Sequence, residues 1–202
     1  SERASWKMKK IGMLGDIGSG KIHIAKLFGY PVFNADEEVG KLYSKNKKIF
    51  FKIKRILPKY IKTFPINKKE ISNAILSNNS NLKKIIKIVH SEVRRSMHTF
   101  IKKNKNKKII ILDIPLLLEN NINKKKDILV FVDAKKIDIS KRLKKRKGFN
   151  QKLINKFKKI QLPIVYKKQK SHFIIKNNFK NNSVKKDING ILEKILQWKK
   201  LY

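Results

Sequence analysis

The chain has 202 residues, 41% of them hydrophobic and 33% charged, which excludes both a low-hydrophobicity disordered chain and a membrane-embedded bundle. Its 52 Lys and Arg against 14 Asp and Glu leave a formal charge of +38, which directs attention to anionic partners. Having no cysteine, it has no disulfide framework, thiol nucleophile or thiolate metal site, and it fits a cytoplasmic setting.

Ser1 to Trp6 lacks a hydrophobic signal core and is set aside from the fold. The apolar run from Met8 to Leu14 predicts a strand that enters a glycine-rich loop, and Ile22 to Phe28 follows with helical apolar spacing. A second short strand is predicted in Tyr30 to Asp36, with Pro31 near its start and an acid at its end, giving a βαβ-like unit. From Glu37 to Lys107, apolar residues recur at three- and four-residue spacing among lysines, as in Ile49, Ile53, Ile56 and Leu57, and again in Leu82, Ile85, Ile86 and Val89. Pro58, Pro65 and the stretch Asn78 to Asn81 punctuate these helices, so the region reads as a helical insertion at about 37–107. Strands resume at Lys108–Ile114, Ile128–Ala134 and His172–Asn177, with helices predicted at Lys136–Lys147, Asn150–Lys159 and Val184–Trp198. Near-continuous β-branched runs suit strands covered on both faces, so the expected fold is α/β, a parallel sheet flanked by helices. The longest apolar stretch, Ile109 to Leu118, is broken by Asp113 and Pro115 and is too short to span a bilayer.

Basic runs at Lys45–Lys54, Lys102–Lys108, Lys124–Lys126 and Arg142–Lys147 raise the question of nucleic acid. None is interleaved with aromatics as a single-strand platform requires, and Lys, Asn and Ile abound from end to end. The charge is therefore read as compositional bias, and nucleic acid is not the expected partner.

Chemistry concentrates where strands end. Gly15-Asp16-Ile17-Gly18-Ser19-Gly20-Lys21 matches GxxxxGK between a strand and a helix, the setting in which backbone N–H groups curl around a polyphosphate and Lys21 adds a point charge. The position after the lysine, where a Ser or Thr hydroxyl would ligate Mg²⁺, holds Ile22, and His23 follows; nitrogen is a poor substitute for a Mg²⁺ oxygen ligand. Asp36, at the end of the second strand, has the chemistry to accept a hydroxyl proton or to orient a metal through water. Asp113, after Ile109–Leu112, is the corresponding candidate for a metal-orienting acid on the third strand. Both also suit the plainer role of a helix N-cap or turn residue.

Taken together, these motifs resemble those of the dephospho-CoA kinases, small P-loop enzymes that phosphorylate the ribose 3′-hydroxyl of dephospho-CoA with ATP. The glycine loop resembles the family's GxGSGKST, and Asn34-Ala35-Asp36 is similar to its DAD, whose second acid is the catalytic base. His90-Ser91 resembles the family's His-Pro, Pro115-Leu116-Leu117-Leu118-Glu119 its PLLxE, and Arg142-Leu143-Lys144-Lys145-Arg146 its RLxxR. Gln161 and Lys167 keep its Gln-x5-Lys spacing, while Ser171-His172 departs from its Ala-Asp. Asn177-Asn178 is similar to its closing turn near the adenine.

The resemblance, over roughly Lys9 to Asn182, implies one P-loop kinase-like domain at 7–202. Its core would be 7–36 and 108–202, with a CoA-binding insertion at about 37–107 and a lid at about 140–170. It implies ATP and Mg²⁺ as the nucleotide and metal, and Asp36, Lys21 and Arg142 as catalytic groups. Gly15, Gly18, Ser19, Gly20, Lys21, Ile22, His23, Arg146 and Asn177 would lie at ATP. His90, Pro115, Leu116, Glu119 and Lys167 would lie at dephospho-CoA, and Asp36 and Asp113 would hold the metal through water. A monomer or small homo-oligomer is expected. Three other readings stay open at this point: a nucleotide-binding protein of this fold whose transferase activity is impaired or lost through Ile22, a basic nucleic-acid binder, and a kinase for another small metabolite.

Overall fold

Residues 7–115 and 126–198 are described by the computed structural model. Their elements are β1 (Lys9–Gly15), α1 (Lys21–Leu27), β2 (Val32–Asn34), α2 (Ala35–Lys45), α3 (Lys47–Ile56), α4 (Lys68–Ser77) and α5 (Asn81–Lys103). There follow β3 (Ile109–Asp113), β4 (Ile128–Asp133), α6 (Lys136–Lys144), α7 (Gln151–Lys159), α8 (Ile164–Lys170), β5 (Phe173–Lys176) and α9 (Asn181–Gln197). The chain divides into two compact units.

The first unit takes the described residues of Ser1–Phe33, Asn104–Phe149 and Leu162–Tyr202. Its sheet has the order β2-β3-β1-β4-β5, with β1 parallel to β3 and β4, and β4 parallel to β5. Alternate strand residues Ile11, Met13, Ile109, Ile111, Val130 and Val132 share a core with Ile24 and Ala25 of α1 and Val184, Ile188 and Ile195 of α9. The intervening Leu14, Ile110, Leu112, Leu129 and Phe131 are buried as well, so both faces are covered, as the continuous apolar runs require. Because β1 lies between β3 and β4, the chain leaves it in two directions across the sheet. The loop after β1 therefore opens at the switch point, where α/β sheets bind ligands.

Helices alone make up the second unit, Asn34–Lys103 with Asn150–Gln161. Ile49, Phe50 and Ile53 of α3, Ile71 and Ile75 of α4, and Leu82, Ile85 and Val89 of α5 form its core. Leu153, Phe157 and Ile160, one apolar stripe along and just beyond α7, pack against that core. Residues 150–161, part of the lid that the family resemblance implies, cluster with the helical unit, whereas α6 and α8 belong to the sheet unit. Leu116 and Glu119 of the PLLxE segment, and Lys124 and Lys125, lie outside the described residues.

Candidate active site

The phosphate loop is built by removing side chains. Gly18 and Gly20 take φ of 85° and 87°, a left-handed conformation that L side chains resist. Space is short as well: a Cβ on Gly20 would sit 2.6 Å from Asn177 Nδ2, and one on Gly18 would sit 2.9 Å from Leu143 Cγ of α6. A Cβ on Gly15 would meet Ser19 Oγ at 2.7 Å. Inside the loop, Ser19 N donates to the Asp16 carbonyl (3.1 Å) and Ile17 N to Asp16 Oδ1 (2.8 Å). Gly20 is the N-cap of α1 and supplies no capping oxygen, so the first-turn N–H groups have no side-chain acceptor from the cap.

The loop is braced from the far edge of the sheet. Asn177, buried just after β5, donates from Nδ2 to the Ser19 carbonyl (2.9 Å), and its own N–H donates to the Asp133 carbonyl (2.7 Å). Its Oδ1 accepts from Phe179 N (2.9 Å). Lys21 Nζ lies 3.9 Å from Asp113 Oδ1, an ion pair at the carboxyl end of β3 in which Asp113 is buried. Arg142 stands on α6 with its guanidinium carbon 4.3 Å above the Phe179 ring, and Arg146 is exposed in the turn after that helix. A shallow depression of ≈ 510 Å³ runs along Asn178–Ser183. His23, exposed on α1, meets Asn181 Oδ1 at 2.9 Å through Nε2, so it is bound to the start of α9.

Of the two departures from the family pattern, His172 has a local explanation and Ile22 has none. Ile22 is half-buried on the first turn of α1 and offers no oxygen. His172 ties β5 to β4: its Nδ1 accepts from Leu129 N (2.9 Å), its own N–H donates to the Leu129 carbonyl (2.8 Å), and its ring lies edge-on to Trp198. Lys167, assigned from sequence to the substrate, is 1% exposed on α8, and Ser171 Oγ donates to its carbonyl (2.8 Å). Next to it, Lys168 Nζ binds Asp133 Oδ2 at 2.8 Å, an ion pair at the end of β4 that no sequence signal announces.

In the helical unit, Asp36 is the exposed second residue of α2. Asn34 Oδ1 caps that helix by accepting from Glu37 N (2.9 Å), so the cap role is already filled and Asp36 is not needed for it. Two turns on, burial, and then the charge of Asp36, push the Tyr43 phenol up to about 12. His90 on α5 has an Nε2 that is buried with no hydrogen-bond partner among the described residues. Burial, and then Arg94, lower its pKa below the ordinary 6.5. Pro115 is half-buried two residues after β3.

Mg²⁺ demands oxygen ligands and keeps several waters. Near Lys21 the chain offers the buried Asp113 carboxylate, and the loop offers Ser19 Oγ, which is buried with no hydrogen-bond partner among the described residues. Among the described residues no group of three or more His, Cys, Asp or Glu converges on one point. Such a donor set fits a metal carried by nucleotide phosphates and water rather than one caged by protein.

A parallel sheet of this order, with a glycine loop that delivers a lysine between β1 and α1, defines a P-loop phosphate-binding protein. The chain belongs to the dephospho-CoA kinase family, which it matches over residues 9–185. It is 34% identical to a dephospho-CoA kinase of Wolbachia from Brugia malayi, across 92% of this chain and 97% of the relative. A crystal structure from Thermus thermophilus superposes with a TM-score of 0.74 at 25% identity, covering 94% of this chain and 97% of the other. The dephospho-CoA kinase of Campylobacter jejuni shares the fold, with a TM-score of 0.61 at 18% identity, covering 93% of this chain and 97% of the other.

Proposed function

We propose that the chain transfers the γ-phosphoryl group of ATP to the ribose 3′-hydroxyl of dephospho-CoA, giving CoA and ADP. The observation that carries this reading is the loop with Gly15, Gly18 and Gly20 stripped of side chains and Lys21 paired to Asp113, in a chain that matches the family from 9 to 185. Loop N–H groups and Lys21 hold the phosphates, and the base lies along Asn177 and the loop that follows it. Asp36 takes the proton of the 3′-hydroxyl as its oxygen bonds to the γ-phosphorus. The bond to the β,γ-bridging oxygen breaks and ADP departs with the electron pair. Arg142 and Arg146 offset the charge spreading over the transferring group. Asp113 and Asp36 would hold Mg²⁺ through water, and the metal would supply further neutralisation of the transferring group.

His90, Pro115, Leu116, Glu119 and Lys167 are assigned to dephospho-CoA. The reaction is assigned to the cytoplasm and to a monomer or small homo-oligomer. A decayed transferase, the alternative raised by Ile22, is not favoured, because His172 has a structural role and the family match covers residues 9–185.

The test is ADP formation measured with and without dephospho-CoA. Release that depends on the acceptor is expected. In Asp36→Asn, turnover should fall by about 10²–10⁴-fold while ATP affinity stays within about twofold. Release independent of the acceptor overturns the substrate, and normal turnover in Asp36→Asn overturns the base.

A further inference from the structure

Phe179 is the one non-glycine residue with positive φ among the described residues, at 60°, a conformation in which a bulky side chain is an outlier. The turn demands it: Asn177 Oδ1 captures the Phe179 N–H (2.9 Å) while Asn177 Nδ2 is committed to the Ser19 carbonyl (2.9 Å). Glycine would satisfy that turn without strain, so the ring needs its own account. It is half-buried and belongs to neither apolar core, so packing does not supply one.

What the ring touches does. Its Cε1 comes within 3.3 Å of where a Cβ on Gly20 would stand, and the guanidinium carbon of Arg142 lies 4.3 Å from its centroid. Phe179 is thus wedged between the phosphate loop and the arginine of α6. Stacking uses one face of a guanidinium and leaves its in-plane N–H donors available to phosphate oxygens. Among the described residues the Arg142 side chain has no acidic partner to fix it otherwise. A long exposed arginine has many rotamers to lose when it binds an anion, and a ring that fixes it beforehand lowers that loss.

We propose that Phe179 is a positioning residue that holds Arg142 beside the phosphate loop in a phosphate-binding orientation. This rests on the ATP-dependent reading of the site given above. The test combines calorimetric ATP affinity, turnover and thermal melting for Phe179→Leu, Phe179→Tyr and Phe179→Gly, with Phe179→Leu repeated in an Arg142→Met background. Losing the stack in Phe179→Leu should weaken ATP about fivefold, whereas Phe179→Tyr, which keeps a ring, should retain wild-type affinity within about twofold.

Phe179→Gly relieves the strained φ, so its melting temperature should hold or rise while its ATP affinity and turnover fall as in Phe179→Leu. In the Arg142→Met background, Phe179→Leu should have no further effect on ATP. The proposal is overturned if Phe179→Gly binds ATP as well as the parent, or if the two changes add independently. If the parent binds ATP but does not phosphorylate dephospho-CoA, the substrate assignment fails, and the affinity series still decides the role of Phe179.

Discussion

The two units of this chain start their helices in opposite ways. In the helical unit four of the five helices start on asparagines whose side chains close the first turn: Asn34 on α2, Asn46 on α3, Asn67 on α4 and Asn150 on α7 each accept from a backbone N–H of their own helix. In the sheet unit, α1, α6, α8 and α9 begin at Gly20, Lys135, Pro163 and Lys180, none of which supplies a side-chain cap. A capped helix spends its free donors on stability, whereas an open one keeps them for water or a ligand. Only α1 among the four open helices follows a left-handed glycine loop carrying a paired lysine, the setting in which the proposed reading puts the phosphates.

The change expected to act most strongly on this contrast is Gly20→Ala. Its Cβ would sit 2.6 Å from Asn177 Nδ2 on a backbone at φ 87°, so either the loop or the Asn177 brace has to move. We expect ATP-dependent turnover to fall at least about a hundredfold, because misplacing the loop spoils the alignment of the transferring group. The left-handed alanine should also cost about 1–2 kcal/mol of stability. Steady-state kinetics beside urea unfolding separates the two effects; normal turnover would show that the open helix end is not where phosphate binds.

The same contrast explains what could be read from the sequence. Within the sheet unit, β1, β3, β4 and β5 announce themselves as apolar runs, and the glycine loop announces itself by spacing alone. Helix α8 gives no such signal, being seven residues long with Pro163 ahead of it and four lysine-type or amide side chains within it. Equally hidden is the brace from Asn177 to Ser19, which spans 158 positions, and so is the stack of Arg142 on Phe179; neither has a local sequence signature. In the helical unit, spacing reveals the amphipathic helices. It does not reveal that Leu153 and Phe157 join a core made by residues 49–89, because an apolar stripe shows that a partner exists without naming it. Asp36 illustrates the limit for chemistry, since an acid after a strand reads equally as a cap until Asn34 is seen to fill that role.

A smaller effect sharpens the other half of the comparison. Asn46 Oδ1 accepts from Ile49 N at 3.0 Å, at the start of the helix that gives Ile49, Phe50 and Ile53 to the core. Asn46→Ala should lower stability by about 1 kcal/mol, read from the urea midpoint. ATP affinity should be unchanged, because no donor at a phosphate site is involved. A loss of affinity without a loss of stability would contradict the division of labour between closed and open helix ends.

The smallest expected effect concerns acid stability and falls on His90. Its Nε2 is buried with no partner among the described residues, and burial with Arg94 close by lowers its pKa from 6.5, so the folded chain takes up this proton less readily than the unfolded chain. Where the unfolded state binds more protons, stability rises with pH. The contribution is therefore intact above 6.5 and declines as the pH falls from there toward the lowered folded value, below which it levels off. His90→Leu removes the titrating group and the orphaned nitrogen together. The variant should match or exceed the parent near neutrality and lose less stability on moving to about pH 5, a difference readable from paired urea titrations. If both proteins lose stability equally over that interval, the acid sensitivity lies elsewhere, and His90 is held by a partner that keeps its proton affinity the same in the folded and unfolded chains.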